Sequence, residues 1–130
     1  MNELFTFMKE HGPVFVSTCE DNAATIRPFG FIDFVDGKLI FVTTVFGRCC
    51  KQLKANPEFE AAAVDASTYT WARISATAVE VTGEDKEAII AANPNLAQFG
   101  GPENIFMFKA ASGKGAIMSL AGAPTKDFEL

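Results

Sequence analysis

The sequence predicts a mainly β fold: one antiparallel barrel decorated with two to three short helices. Two patterns carry this reading. About seven segments show the β-branched and aromatic enrichment and flanking turn signals of strands. These strands do not alternate regularly with helices, which argues against a doubly wound parallel sheet. The size agrees. A chain of 130 residues with 48% hydrophobic composition is one ordinary domain. A domain of that length buries roughly two-thirds of its surface. Residues 1–130 show no repeat, low-complexity stretch or linker.

Residues 2–10 read as a short helix with Leu4, Phe5 and Met8 on one side, ended by His11-Gly12-Pro13. A strand from Val14 to Cys19 enters a polar turn at Glu20-Asp21-Asn22. A second strand runs from Ala23 to Phe34, and Asp36-Gly37 is a hairpin signal returning the chain through Lys38 to Thr44. Helical spacing then takes over from Val45 to Ala55. Phe46, Cys49, Cys50 and Leu53 fall at i, i+3, i+4 and i+7, and Asn56-Pro57 stops the run. Glu58 to Asp65 and Tyr69 to Val81 are the next two strands. Thr82-Gly83-Glu84-Asp85 resembles a capping box opening a helix through Ala92, with one further turn over Asn95 to Phe99. The last strands, Asn104 to Ala111 and Gly115 to Leu120, form a pair across Ser112-Gly113-Lys114. The tail from Ala121 to Leu130 reads as irregular.

Composition excludes several function classes. A net charge of −5 argues against a general nucleic-acid binder, which needs a basic face. No apolar run approaches the roughly 18 residues of a membrane span. The N-terminus lacks the basic and apolar regions of a signal peptide, and Cys19, Cys49 and Cys50 suit reduced thiols, so a cytoplasmic location is expected. The chain carries 13 Phe, more than a small monomer readily hides, so some rings are expected to face a partner subunit or a flat ligand.

Ordinary catalytic equipment is also missing. One His and two adjacent Cys do not make a standard zinc site. There is no phosphate loop, no Gly-x-Gly-x-x-Gly and no Gly-x-Ser-x-Gly. His11 reads as a helix C-terminal residue, and Asp33, Asp65 and Glu80 as turn or surface acids. If the chain is an enzyme, a cofactor carries the chemistry.

Three segments could hold one. Alternation puts Thr25, Arg27 and Phe29 on one strand face, and Pro28 marks an edge with free backbone groups. The competing reading pairs Arg27 with an acid such as Asp33. Next, Thr43 and Thr44 precede a helix start where either can cap the helix or meet a phosphate. Arg48 and Lys51, one turn apart, can point at one anion. Here a capped helix with solvated cations competes. Cys49 and Cys50 sit near these cations, yet their spacing suggests core packing. Third, Trp71, Arg73 and Ser75 share a strand face, either as a packed Trp beside an exposed Arg or as a stacking surface for the same ligand.

In order and spacing, these segments resemble the pyridoxamine 5'-phosphate oxidase-like FMN-binding split barrels. The resemblance rests on Arg27-Pro28-Phe29-Gly30-Phe31, on Asp36 to Thr43, on Lys51-Gln52-Leu53-Lys54-Ala55-Asn56-Pro57, on Trp71-Ala72-Arg73-Ile74 and on Asn93-Pro94. It implies a split barrel working as a homodimer, with FMN as cofactor. Arg27, Pro28 and Phe29 would line the flavin ring. Thr43, Thr44, Arg48 and Lys51 would hold phosphate and ribityl chain, with Gln52 as a further candidate, and Trp71 and Arg73 would serve the neighbouring subunit's site. Gly47 followed by Arg48 departs from the Lys that many small members carry at this helix start. The expected activity is flavin-dependent oxidoreduction of a small molecule, with no catalytic side chain assigned. The alternatives are a non-catalytic flavin-binding electron carrier or sensor, and a split barrel that binds haem or a deazaflavin.

Overall fold

The computed structural model describes residues 2–121 and 125–130. Helix α1 (Asn2–Glu10) is followed by strands β1 (Val14–Glu20), β2 (Ala23–Phe29), β3 (Ile32–Val35) and β4 (Lys38–Thr44). Helix α2 (Arg48–Ala55) leads to β5 (Glu58–Asp65) and β6 (Thr70–Glu80). Then come α3 (Gly83–Ala92), 3-10 turns at Pro94–Phe99 and Pro102–Asn104, β7 (Ile105–Ser119) and β8 (Lys126–Glu129). The strands form one antiparallel sheet in the order β2-β1-β5-β6-β7-β4-β3, with β8 added beside β7.

Two hairpins follow from local turn chemistry. Asp21 and Asn22 (φ 49° and 65°) join β1 to β2, and Asp36 and Gly37 (φ 50° and 76°) join β3 to β4. Positive φ at both central residues gives the turn whose twist matches paired strands.

Strands β4 and β7 are buried on both faces for part of their length. Leu39 and Phe41 of β4, with Phe106 and Phe108 of β7, face the barrel interior. Ile40, Val42, Ile105 and Met107 face the other way, against Val81, Ile89 and Leu96. Inside the barrel Phe41 stacks on Phe108 at 5.3 Å between centroids, and Phe29 and Phe59 meet both rings edge-on. Each such pair adds about 0.5–1.5 kcal/mol beyond area burial. Leu4 and Met8 of α1 and Cys49, Cys50 and Leu53 of α2 join the same core. Most of the Phe surplus is thus absorbed by the chain itself; Phe15 and Phe46 are the exposed rings.

The structure corrects five expectations. The strand expected from Ala23 to Phe34 breaks at Gly30-Phe31. There β2 runs out of partner, since Phe29 pairs with Val14 at the start of β1, and Ile32 pairs instead with Phe41 of β4. The pair expected around Ser112-Gly113-Lys114 is one continuous strand. Gly113 has φ 143°, and a Cβ there would overlap the Ser75 carbonyl oxygen, so this glycine lets β7 approach β6 rather than turn. Beside it the register shifts, leaving Ala111 without a β6 partner, and its carbonyl accepts a hydrogen bond from Lys38 Nζ at 2.8 Å. The helix expected from Val45 begins at Arg48. The Thr82 hydroxyl makes no capping bond, and Gly83, the first residue of α3, enters the helix at φ 63°. Part of the tail is not irregular: Lys126–Glu129 pairs with Lys114–Ile117 of β7, while residues 122–124 lie outside the described residues.

Candidate functional site

Strand β4 delivers Thr43 and Thr44, both half-buried, opposite Phe106 and Ile105 of β7. The chain then turns through residues 45–47, tied by the Val45 N–H to the Asn104 carbonyl at 3.0 Å. Helix α2 opens at Arg48 with extended Gly47 as its N-cap and no side chain capping it. Neither Thr43 nor Thr44 caps this helix: both belong to the β4–β7 ladder, three or more residues before the helix start. The opening turn therefore presents backbone N–H groups without a side-chain acceptor, the arrangement that attracts anions. Arg48 and Lys51 are exposed here, while Cys49, Cys50, Gln52 and Leu53 point inward.

Arg27 lies on β2, the edge strand next to β1, opposite Val16. Its side chain turns toward α2. Nη1 donates to the Val16 carbonyl at 3.2 Å and to Thr18 Oγ1 at 2.7 Å. Nη2 donates to Thr25 Oγ1 at 2.9 Å and to Gln52 Oε1 at 3.0 Å. Gln52 is 2% exposed, and its oxygen also accepts from the Thr18 and Thr25 hydroxyls. Its amide nitrogen donates to Glu20 Oε2 at 3.1 Å, which fixes which end of the amide faces the arginine. The alternative pairing of Arg27 with Asp33 is overturned. Asp33 instead accepts from the Phe34 N–H at 2.7 Å and from Asn93 Nδ2 at 3.2 Å. Among the described residues no carboxylate ion-pairs with Arg27. Thr18 and Glu20 were not singled out by sequence reasoning; a polar Thr18 sharing the strand face of Val14 and Val16 was the available signal.

Of the neighbours of Arg27, Pro28 is exposed on the open edge, and Phe29 is 4% exposed, with its ring in the barrel core. What Phe29 offers a ligand along the open strand edge is therefore its backbone. Trp71 is half-buried on β6 and exposed Arg73 lies over its ring, 5.3 Å from the centroid. Trp71, Val64, Phe15 and Leu120 line an apolar groove of about 530 Å³. His11 also lines it, its ring tilted against Phe7 at 4.6 Å between centroids and its Nε2 3.9 Å from Asp65. The Asp65 carboxyl is held below its usual range, chiefly by the hydrogen bond from the Ser67 hydroxyl.

The adjacent cysteines are core residues, as their helical spacing suggested. Burial pushes the Cys49 thiol up, with Arg27 opposing and Cys50 adding to the rise. Burial likewise raises Cys50, with Lys54 opposing. Neither is activated by the helix start.

The fold, the cation-bearing α2 start after β4, and the Trp71–Arg73 strand face now stand together. The pyridoxamine 5'-phosphate oxidase family model matches residues 1–125. The chain belongs to this family. Among solved structures, this family member is similar to a NimC/NimA family protein from Clostridium acetobutylicum. The identity is 26% and the TM-score 0.87, over 100% of this chain and 93% of that one. It shares its fold with a pyridoxamine 5'-phosphate oxidase-related, FMN-binding protein from Nostoc punctiforme, at 14% identity and TM-score 0.63, over 88% of this chain and 77% of that one. A haem-binding protein from Mycobacterium smegmatis has the same fold at 13% identity and TM-score 0.72, covering 98% of this chain and 57% of that one. No curated protein matches the chain. Among the described residues, no helix is long and apolar enough to cross a membrane.

Proposed function

We propose that this chain binds FMN and acts, as a homodimer in the cytoplasm, as a flavin-dependent oxidoreductase on a small molecule. The observation that carries the reading is the start of α2: an uncapped helix N-terminus flanked by two exposed cations, Arg48 and Lys51. That donor set fits a phosphate monoester, since backbone N–H groups and both cations favour a dianion. Thr43 and Thr44, just before it, offer hydroxyls to a ribityl chain. The open edge of β2 at Arg27, Pro28 and Phe29 offers backbone groups to a flavin ring. FMN, when bound, supplies hydride or electron transfer. Arg27 contributes through its charge, because both terminal nitrogens are already spent on Val16, Thr18, Thr25 and Gln52. A fixed cation near the ring favours its reduced, anionic form.

The apolar face bearing Phe15, Val64 and Trp71 supports the dimer. A second copy would cover it and bring Trp71 and Arg73 toward the neighbouring site. Haem is favoured less, because the sole His, His11, is engaged with Phe7 and Asp65.

The test is the visible spectrum of the natively purified protein and an FMN titration of its apo form. A flavin spectrum with release of FMN on heating is expected. A colourless protein that refuses added FMN overturns the reading.

A further inference from the structure

A second cavity, of about 550 Å³, opens at the break between β2 and β3. No residue of α2 or of the end of β4 lines it, so it is separate from the proposed phosphate cradle. Its floor is apolar, from Met8, Val14 and Phe29, all buried. Its rim is polar: Lys9 from α1, Asn93 after α3 and Asn95 in the following 3-10 turn. The backbone of Gly30 and Phe31 forms one wall, and neither residue is paired in a strand ladder.

The polar groups have a definite sense. Asn93 Nδ2 donates to Asp33 Oδ2 at 3.2 Å and to the Ile89 carbonyl at 2.8 Å. Its amide orientation is thereby set, and Oδ1 is left as an acceptor. The Lys9 ammonium makes no ion pair among the described residues and lies 5.4 Å from the Phe5 ring centroid, leaving N–H donors for a carbonyl. Asn95 is exposed and supplies both a donor and an acceptor. The Lys9 ammonium on the rim and the Asp33 carboxylate behind Asn93 offset each other, which favours a ligand of no net charge.

We infer that this cavity is a binding site for a small, neutral, planar lactam or imide. Such a ring places adjacent N–H and C=O groups against Asn93, the cation and the unpaired peptide at Gly30-Phe31, and its flat face against the apolar floor. A site lined by hydrogen-bonding groups rejects analogues that leave them unpaired. Phe29 belongs both to this floor and to the strand edge proposed for FMN, so a ligand held here lies beside that edge. The substrate-class assignment rests on the flavin reading; the binding site itself does not.

The probe is uracil, with 1,3-dimethyluracil as the control that keeps ring and carbonyls but has neither N–H. Amide-resolved NMR titration of the full chain is expected to show saturable shifts at Gly30 and at the Asn93 and Asn95 side chains. The dimethyl compound should bind at least tenfold more weakly. Lys9→Met and Asn95→Ala, both at exposed positions, should each weaken uracil severalfold while the remaining spectrum stays folded. Absent or scattered shifts, or equal binding of the two compounds, overturn the inference. Repeating the titration on FMN-loaded protein tests the placement: retained uracil binding supports a separate site, and full competition overturns it. Uracil binding without FMN binding would count against the flavin reading alone, and FMN binding without uracil binding against this inference alone.

Discussion

The Nη2 of Arg27 is hydrogen-bonded to Oε1 of Gln52, 3.0 Å away, joining edge strand β2 to the buried face of α2. Gln52 holds the centre of this cluster, because its oxygen accepts from Arg27, Thr18 and Thr25 together. Gln52→Met keeps the volume and removes the acceptor. Hydrogen bonds to charged groups are worth about 1.5–3 kcal/mol, so a loss of about 2–3 kcal/mol in urea unfolding is expected. The double variant with Arg27→Met should recover part of it, with a coupling of about 1–3 kcal/mol. A Gln52→Met protein as stable as the wild type would contradict this role.

Arg48→Gln and Lys51→Gln remove the two exposed cations at the α2 start. Each should weaken FMN binding at least tenfold, from one lost charge-assisted bond of about 1.5–3 kcal/mol. Neither should move the thermal midpoint much, since both side chains are exposed. Unchanged FMN affinity in the double variant would place the phosphate elsewhere.

Gly113→Ala should destabilise the protein by about 3 kcal/mol, combining a strained positive φ with overpacking. Its new Cβ would meet the Ser75 carbonyl oxygen. Gly37→Asn is the matched control, since φ there is 76° and nothing lies within 4 Å of an added Cβ. It should cost less than about 1 kcal/mol, because Asn tolerates left-handed turn positions. Chemical denaturation of the two variants separates the cases.

Thiol labelling should distinguish Cys19, which is half-buried, from Cys49 and Cys50, which are buried. In the native protein Cys19 should react first, the other two only on unfolding. The raised Cys49 pKa also sets a sign for pH dependence. The folded state holds that proton more tightly, so its contribution to stability is full below the ordinary thiol value of 9.0 and is lost as pH rises through the folded value. Thermal midpoints should fall above about pH 9, and Cys49→Ala should reduce that fall. A midpoint with the same alkaline slope in the variant would show that Cys49 is not responsible.

Val64→Lys tests the proposed dimer face. Val64 is 49% exposed and lines the apolar groove, so the substitution costs the monomer little. Sedimentation should show a dimer for the wild type and a monomer for the variant. A wild-type monomer would remove the dimer from the proposal.

Elements set by local chemistry were legible in the sequence. The Asp36-Gly37 turn, the strand over Glu58–Asp65 and the stop at Asn56-Pro57 all lie where adjacent residues dictate them. Features that need distant partners were not. Gly113 in Ser-Gly-Lys has turn composition, and only the closeness of Ser75 on β6 explains its conformation. Arg27 and Gln52 are 25 positions apart, so nothing local announces that the arginine turns inward rather than toward an acid. The cavity rim combines Lys9 with Asn93 and Asn95, drawn from opposite ends of the sequence.

Strand β7 sits between β6 and β4 in the sheet order. The earlier strands therefore fall into two separate ladders, β2-β1-β5-β6 and β4-β3, with no hydrogen-bonded strand between them. During synthesis neither ladder can be joined to the other until residues 105–119 have left the ribosome. Closure then requires the late-made segment to dock against β4, made some 60 positions earlier, a high-separation contact of the kind that slows folding. A nascent chain released before Ile105 would expose the edges of β6 and β4 that β7 otherwise covers, and an open apolar interior, the state most exposed to chaperones and to aggregation.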